Sequence, residues 1–222
     1  MTRSAIFDLD GTLAHTAPDL VGAANDLMDE QGLPRLAVSI AEKTAGFGAK
    51  ALIKAAFENA NERYDDTRVD ALFHPFLDRY AARIADESHL YEGAEAALDT
   101  LASDGWLLGI CTNKPEALAL DLMKALGALD RFGALLGADT LPVRKPDPTH
   151  LFETISRIGG NPAQAVMIGD TDTDLKTARA AEIPCILTSF GYSHIPVARL
   201  KPDAIVDHFS EIPNALEDVI GR

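Results

Sequence analysis

Ser4-Ala-Ile-Phe-Asp-Leu-Asp-Gly-Thr12 reads as a short buried strand ending in two acids, with Gly11 where the chain must turn sharply. The same grammar returns from Gly93 onward, with helices and strands in alternation. A helix to about Ser103 precedes Trp106-Leu-Leu-Gly-Ile-Cys111, and a helix opened by Pro115 precedes Ala134-Leu-Leu-Gly137. A helix around Leu151 leads to Ala165-Val-Met-Ile-Gly169, and one from about Thr173 leads to Cys185-Ile-Leu-Thr188. Ala204-Ile-Val-Asp207 and a closing helix finish the chain. Continuous apolar strands separated by helices are the mark of a parallel sheet covered on both faces. Between about Pro18 and Asp86 no strand is expected. The pattern there predicts helices over Asp19 to Met28, closed by Gly32, over Ala49 to Ala60, and over Thr67 to Ala85. The expected fold class is therefore α/β: a doubly wound parallel-sheet, Rossmann-like core from residues 1–16 and 87–222, with an α-helical cap inserted at 17–86. An insert just past a strand's carboxyl end sits over the crevice where open α/β sheets bind ligands, so it is placed as a lid.

Composition supports one large domain or a core with a smaller insert. The 222 residues are 47% apolar and 24% charged, ample for a buried core and unlike a disordered or collagenous chain. With 20 Lys+Arg against 34 Asp+Glu the formal charge is −14, which disfavours nucleic acid and anionic membrane as partners and requires local groups to hold any anionic substrate. No apolar run reaches membrane-spanning length, and Asp8 and Asp10 follow the first residues too closely for a signal peptide, so a cytoplasmic location is expected. Cys111 and Cys185 sit in strand-like apolar runs and read as buried structural thiols.

Four pieces fall at expected strand ends: Asp8-Leu-Asp-Gly-Thr12, Cys111-Thr-Asn-Lys114, Arg144-Lys-Pro-Asp-Pro148 and Gly169-Asp-Thr-Asp-Thr-Asp174. Residues two apart on a strand face one side, so Asp8 and Asp10 are expected to converge, with Asp170 joining them from a neighbouring strand. An oxygen-only cluster suits Mg²⁺, which takes few carboxylates, keeps waters and uses substrate phosphate oxygens. Lys145 would offset anionic charge, and Thr112 and Asn113 would offer neutral donors to phosphate oxygens, an arrangement fitted to phosphoryl transfer.

Taken together, Asp8-x-Asp10-Gly-Thr12, Thr112-Asn113, Lys145-Pro and Gly169-Asp170-x-x-x-Asp174, in this order, resemble the four motifs of the haloacid dehalogenase-like hydrolase superfamily. Phe7-Asp-Leu-Asp-Gly-Thr-Leu13, Ala17-Pro-Asp-Leu20, Gly46-Phe-Gly48, Lys145-Pro-Asp-Pro148 and Asp174-x-x-x-Ala178-x-x-Ala181 resemble its phosphoglycolate phosphatase branch, which carries a helical cap in this place. The resemblance covers essentially the whole chain. It implies Asp8 as nucleophile, forming an aspartyl-phosphate, and Asp10 as general acid and base. It also implies Mg²⁺ held by Asp8, the Asp10 backbone carbonyl and Asp170, with Asp174 in support, and phosphate held by Thr112, Asn113 and Lys145. The family's dehalogenating and carbon–phosphorus-cleaving members lack an aspartate at the place of Asp10, so phosphate-ester chemistry is favoured. The chain departs from the family at Leu13-Ala-His-Thr16, where His15 stands in place of a frequent acid.

Several residues admit plainer roles. Gly46 and Gly48 are expected either to turn between cap helices or to bring backbone to the substrate. Lys43 and Lys50 flank that loop, and one of them is a candidate partner for a substrate carboxylate, a solvated helix lysine being the alternative. Asp172 reads as a helix N-terminal acid, His194 as a surface loop residue and Trp106 as core. The expected activity is a Mg²⁺-dependent phosphatase of small phosphate esters, acting as a monomer or homodimer, with 2-phosphoglycolate the first substrate to test. A phosphomutase sharing the Asp8/Asp10 pair and a phospho-receiver module are the alternatives.

Overall fold

The structure, a computed structural model, describes residues 2–44, 46 and 48–220. Its centre is a six-stranded sheet: β1 (Ser4–Phe7), β4 (Leu107–Cys111), β5 (Ala134–Leu136), β6 (Ala165–Gly169), β7 (Cys185–Thr188) and β8 (Ala204–Val206). The order across it is β5-β4-β1-β6-β7-β8, every pairing is parallel, and β1 sits between β4 and β6 in the middle. Alternation along the strands explains their unbroken apolar character. In β1, Ala5 and Phe7 enter one cluster with Ile110, Ile168 and Phe209, while Ile6 enters another with Met167, Leu151 and Leu175. Helices α5 (Ala94–Ser103) and α9 (Ile212–Ile220) cover the first face, and α7 (Pro148–Arg157) and α8 (Asp172–Ala180) the second.

Four further helices lie between β1 and the second core strand: α1 (Ala17–Glu30), α2 (Val38–Glu42), α3 (Ala49–Asn59) and α4 (Asp66–Ala82). They bury a cluster of their own, with Leu27, Met28, Ile53, Phe57, Phe76 and Tyr80 at its centre, and Leu118 of α6 (Glu116–Ala125) is the core residue that joins it. The start of α4 follows from chemistry the sequence displays, since the Asp65 carboxylate accepts the Arg68 N–H at 2.8 Å. Its end falls at Ala82, short of the expected Ala85, and α2 is an additional helix.

Two short strands unforeseen in the sequence tie the helical block to the sheet. Ala14–His15 (β2) pairs antiparallel with His89–Leu90 (β3), so the chain leaves and re-enters the core side by side. Beside that ribbon the fully buried Asp19 of α1 accepts the Glu87 and Ser88 N–H groups and the Ser88 hydroxyl at 3.0, 2.8 and 2.7 Å. Among the described residues no helix is long and apolar enough to cross a membrane. Cys111 and Cys185 are free and buried, and burial pushes the Cys111 thiol up to about 12. Trp106 is buried at the start of β4, with the Arg3 guanidinium 4.7 Å over its ring.

Candidate active site

Asp8 is the first residue beyond β1, anchored by its N–H to the Ile168 carbonyl at 2.8 Å. Its Oδ1 accepts the Leu9 N–H at 2.7 Å and lies 2.9 Å from Lys145 Nζ. Lys145 Nζ donates also to Asp174 Oδ1 at 2.6 Å, and its side chain is 1% exposed. Burial opposes that ammonium, but the Asp174 and Asp8 carboxylates outweigh it and hold its pKa above the usual range. Burial raises the Asp8 carboxyl to about 6; Lys145 pulls it back down and Asp174 adds to the rise.

Asp170 follows β6, fully buried, and is fixed at both oxygens. Oδ1 accepts the Thr12 hydroxyl at 3.0 Å and Oδ2 the Tyr192 N–H at 2.6 Å. Two glycines let the backbone close on it. A Cβ on Gly11, where φ is +81°, would lie 2.4 Å from Asp170 Oδ2, and one on Gly191 would lie 2.3 Å from its Cβ. Asp174, in the first turn of α8, accepts the Thr171 N–H and hydroxyl at 3.0 and 2.8 Å in a reciprocal capping box. Burial, then Asp174 and Asp8, push the Asp170 carboxyl well above its ordinary value.

These carboxylates fit a hard divalent cation. Asp8, Asp170 and Asp174 each bring an oxygen within 4.8 Å of the others. Three acids against the single ammonium of Lys145 leave a buried negative excess. Burial first, and the neighbouring Asp174 carboxylate after it, raise the Asp8 and Asp170 values, and an oxygen-only donor set of this charge suits Mg²⁺.

Asp10 shares a cavity with Asp8, but its carboxylate is not one of the three clustered acids. The strand ends at Phe7, so strand alternation does not extend to residues 8 and 10. Asp10 Oδ1 instead accepts the Thr16 hydroxyl at 2.7 Å and lies 2.9 Å from Lys114 Nζ. The cavity the two acids share has a volume of about 100 Å³. Thr112, Asn113, Lys114 and Lys145 complete its polar side, while Leu20, Leu52, Phe76, Leu77 and Tyr80 form an apolar wall. Thr112 and Asn113 follow β4, and the Asn113 amide donates to the Lys145 carbonyl at 3.0 Å, linking two of the strand-end pieces.

Gly46 and Gly48 also line this cavity. A Cβ on Gly46 would come within 3.1 Å of Thr171 Cγ2, and Gly48, at φ +86°, precedes the first turn of α3. Phe47 of the same motif lies outside the described residues. Lys50 is not brought there: its exposed ammonium pairs with Asp70 of α4 at 2.6 Å, on the face of α3 that meets α4. Lys43 is exposed and also lies off the cavity wall. His15, in β2, reaches Glu42 through Nε2 at 3.3 Å. Asp172 fulfils its helix-terminal reading, pairing with Lys176 at 2.6 Å. Lys114 and Tyr80 are among the cavity residues that sequence reasoning does not assign to the site. Lys114 stands within the quoted strand-end piece, two residues after Thr112, which is the signal that could have found it.

A family model described as haloacid dehalogenase-like hydrolase matches residues 5–188. A phosphoglycolate phosphatase of Caulobacter vibrioides is 41% identical over 94% of this chain and 88% of its own length. One of Agrobacterium fabrum is 38% identical over 96% of this chain and 91% of its own. A solved structure described as a predicted phosphoglycolate phosphatase from Haemophilus somnus 129pt superposes with a TM-score of 0.87 at 28% identity, covering 96% of this chain and 97% of that one.

Proposed function

The chain belongs to the haloacid dehalogenase-like hydrolase family, and from that premise we propose that it hydrolyses small phosphate monoesters through an aspartyl-phosphate on Asp8. The observation that carries this reading is the cavity itself, where Asp8 stands with Lys145 on one side and Asp10 with Lys114 on the other. An Asp8 oxygen attacks phosphorus and the ester C–O oxygen departs, taking a proton from Asp10. A water then attacks the phosphorus of the intermediate, gives its proton to Asp10, and frees Asp8 and phosphate. Lys145 and the amide of Asn113 and hydroxyl of Thr112 hold the phosphoryl oxygens. Asp8, the Asp10 carbonyl and Asp170 would hold Mg²⁺, which would supply charge neutralisation at the phosphoryl group. Asp174 keeps Lys145 in position.

Residues 17–86 act in this reading as a helical cap that closes over the core formed by 1–16 and 87–222, excluding water and shaping the substrate end of the cavity. Gly46 and Gly48 present backbone there. The names of the relatives make 2-phosphoglycolate the first substrate to try. A cytoplasmic location and a monomeric or dimeric state belong to this reading. A panel of phosphate esters assayed with and without Mg²⁺ tests the proposal, alongside Asp8→Asn. Phosphate release that needs both the cation and Asp8 is expected. Release undiminished in Asp8→Asn, on protein cleared of contaminating phosphatase, overturns the nucleophile.

A further inference from the structure

Two lysines line the cavity, and they are committed differently. Lys145 is locked between Asp8 and Asp174 at the phosphoryl end. Lys114 lies beside Asp10, with a side chain only 4% exposed. Its Nζ is 2.9 Å from Asp10 Oδ1 and 2.6 Å from the Tyr80 hydroxyl of α4, and it lies 4.2 Å from the centre of that ring. An ammonium has three donors; they meet Asp10 Oδ1, the Tyr80 hydroxyl and, at a longer 3.3 Å, Asp10 Oδ2, and this last contact is the one a substrate carboxylate would replace. The neighbouring wall, Leu52, Phe76 and Leu77, is apolar. A cation held in such surroundings attracts an anionic oxygen far more strongly than one in water.

We propose that Lys114, with the Tyr80 hydroxyl, is the specificity-determining pair that binds a carboxylate on the substrate, so that the preferred ester is a short phosphorylated hydroxy acid. This rests on the phosphatase reading above. The geometry sets the spacing: Asp10 serves the ester oxygen and also touches Lys114, so a group meeting Lys114 is attached within one or two carbons of that oxygen. Lys43 and Lys50, the cations that sequence position put forward for this task, are exposed and off the cavity, and Lys50 is spent on Asp70. Tyr80 comes from the helical block and Lys114 from the core, so the same contact makes carboxylate binding dependent on the block being seated.

The test is equilibrium binding by full-length Asp8→Asn protein, which holds ester without turning it over, titrated with 2-phosphoglycolate and with ethyl phosphate in the presence of Mg²⁺. Lys114→Met in that background should weaken 2-phosphoglycolate about tenfold or more beyond its effect on ethyl phosphate, the scale of a charge-assisted hydrogen bond. Lys114→Arg should keep most of the preference. Tyr80→Phe, which leaves Asp10 its counterion, should weaken 2-phosphoglycolate selectively and serves where Lys114→Met does not fold. Equal weakening of both esters would mean that Lys114 only positions Asp10, and would overturn the proposal. So would a preference for 2-phosphoglycolate that survives both Lys114→Met and Tyr80→Phe. Turnover by the unsubstituted protein reports separately on the phosphatase reading: a Lys114-dependent binding preference without hydrolysis of any ester would remove that reading and leave the carboxylate pocket standing.

Discussion

Asp10 accepts hydrogen bonds from Thr16 and Lys114, away from the acids that converge around Asp8, and this separation lets two carboxylates two residues apart do different work. If Asp10 delivers the proton to the leaving oxygen, Asp10→Asn should slow hydrolysis of an alkyl phosphate by about 10²-fold or more. The loss should shrink for p-nitrophenyl phosphate, whose phenolate leaves without help. Rate constants for the two esters that fall by the same factor would remove the acid role. A different single residue contributes to the acid response of stability. His150 is fully buried in α7 with no hydrogen-bond partner for either ring nitrogen; burial first, then the charge of Lys145, lower its pKa to about 4. The unfolded chain has the ordinary value near 6.5, so between about 6.5 and 4 it binds a proton that the folded protein refuses. The contribution of this residue to stability therefore falls as pH drops through that window, by about 1.4 kcal/mol per unit, while the raised carboxyls of Asp8 and Asp170 act in the opposite direction. Urea midpoints measured across it should show His150→Gln gaining on the unsubstituted protein as pH falls from about 6.5 to 4, relative to their difference at pH 7; parallel curves would contradict the assignment.

At the scale of elements, the attachment of α1 to the β2–β3 ribbon concentrates on one buried carboxylate. Asp19→Ala would leave the Glu87 and Ser88 N–H groups and the Ser88 hydroxyl without their shared acceptor. Unsatisfied buried donors cost roughly 1–3 kcal/mol each before any relaxation, so a loss of several degrees in Tm is expected, with Asp19→Asn intermediate. A melting temperature unchanged in Asp19→Ala would show that the ribbon holds without it. The ribbon also marks where sequence reading stops. Core strands announce themselves because burial on both faces makes each a continuous apolar run with a chemically loaded end, so their positions along the chain and the residues Asp8, Thr112, Lys145 and Asp170 could be found from local signals, whereas the strand order in the sheet could not. Two-residue strands carry no period, and β2 and β3 exist only because distant segments meet. The Lys114–Tyr80 contact is hidden for the same reason, joining residues 34 apart in sequence. Lys50 was misplaced because adjacency to Gly48 does not determine which face of α3 meets α4.

For the molecule as a whole, the balance of charge and site has a measurable consequence. The formal charge is −14, while the cations of the cavity, Lys114 and Lys145, are each already paired with carboxylates. An approaching phosphate ester therefore meets a repulsive long-range field and is attracted only at short range, inside the cavity. Salt separates the two: charges on the surface are screened over about 10 Å at 0.1 M, whereas buried pairs are screened much less. Raising ionic strength from about 0.01 to 0.1 M should thus increase kcat/KM, where most enzymes of anionic substrates that rely on positive steering lose it. The gain should be larger for 2-phosphoglycolate than for ethyl phosphate, because the extra carboxylate adds to the repulsion during approach. Sodium chloride is the appropriate salt, since phosphate and sulfate would compete at the phosphoryl end. A kcat/KM that falls steadily with salt for both esters would mean that a local positive field at the cavity mouth outweighs the net charge, and the acidic surface would then have no part in substrate capture.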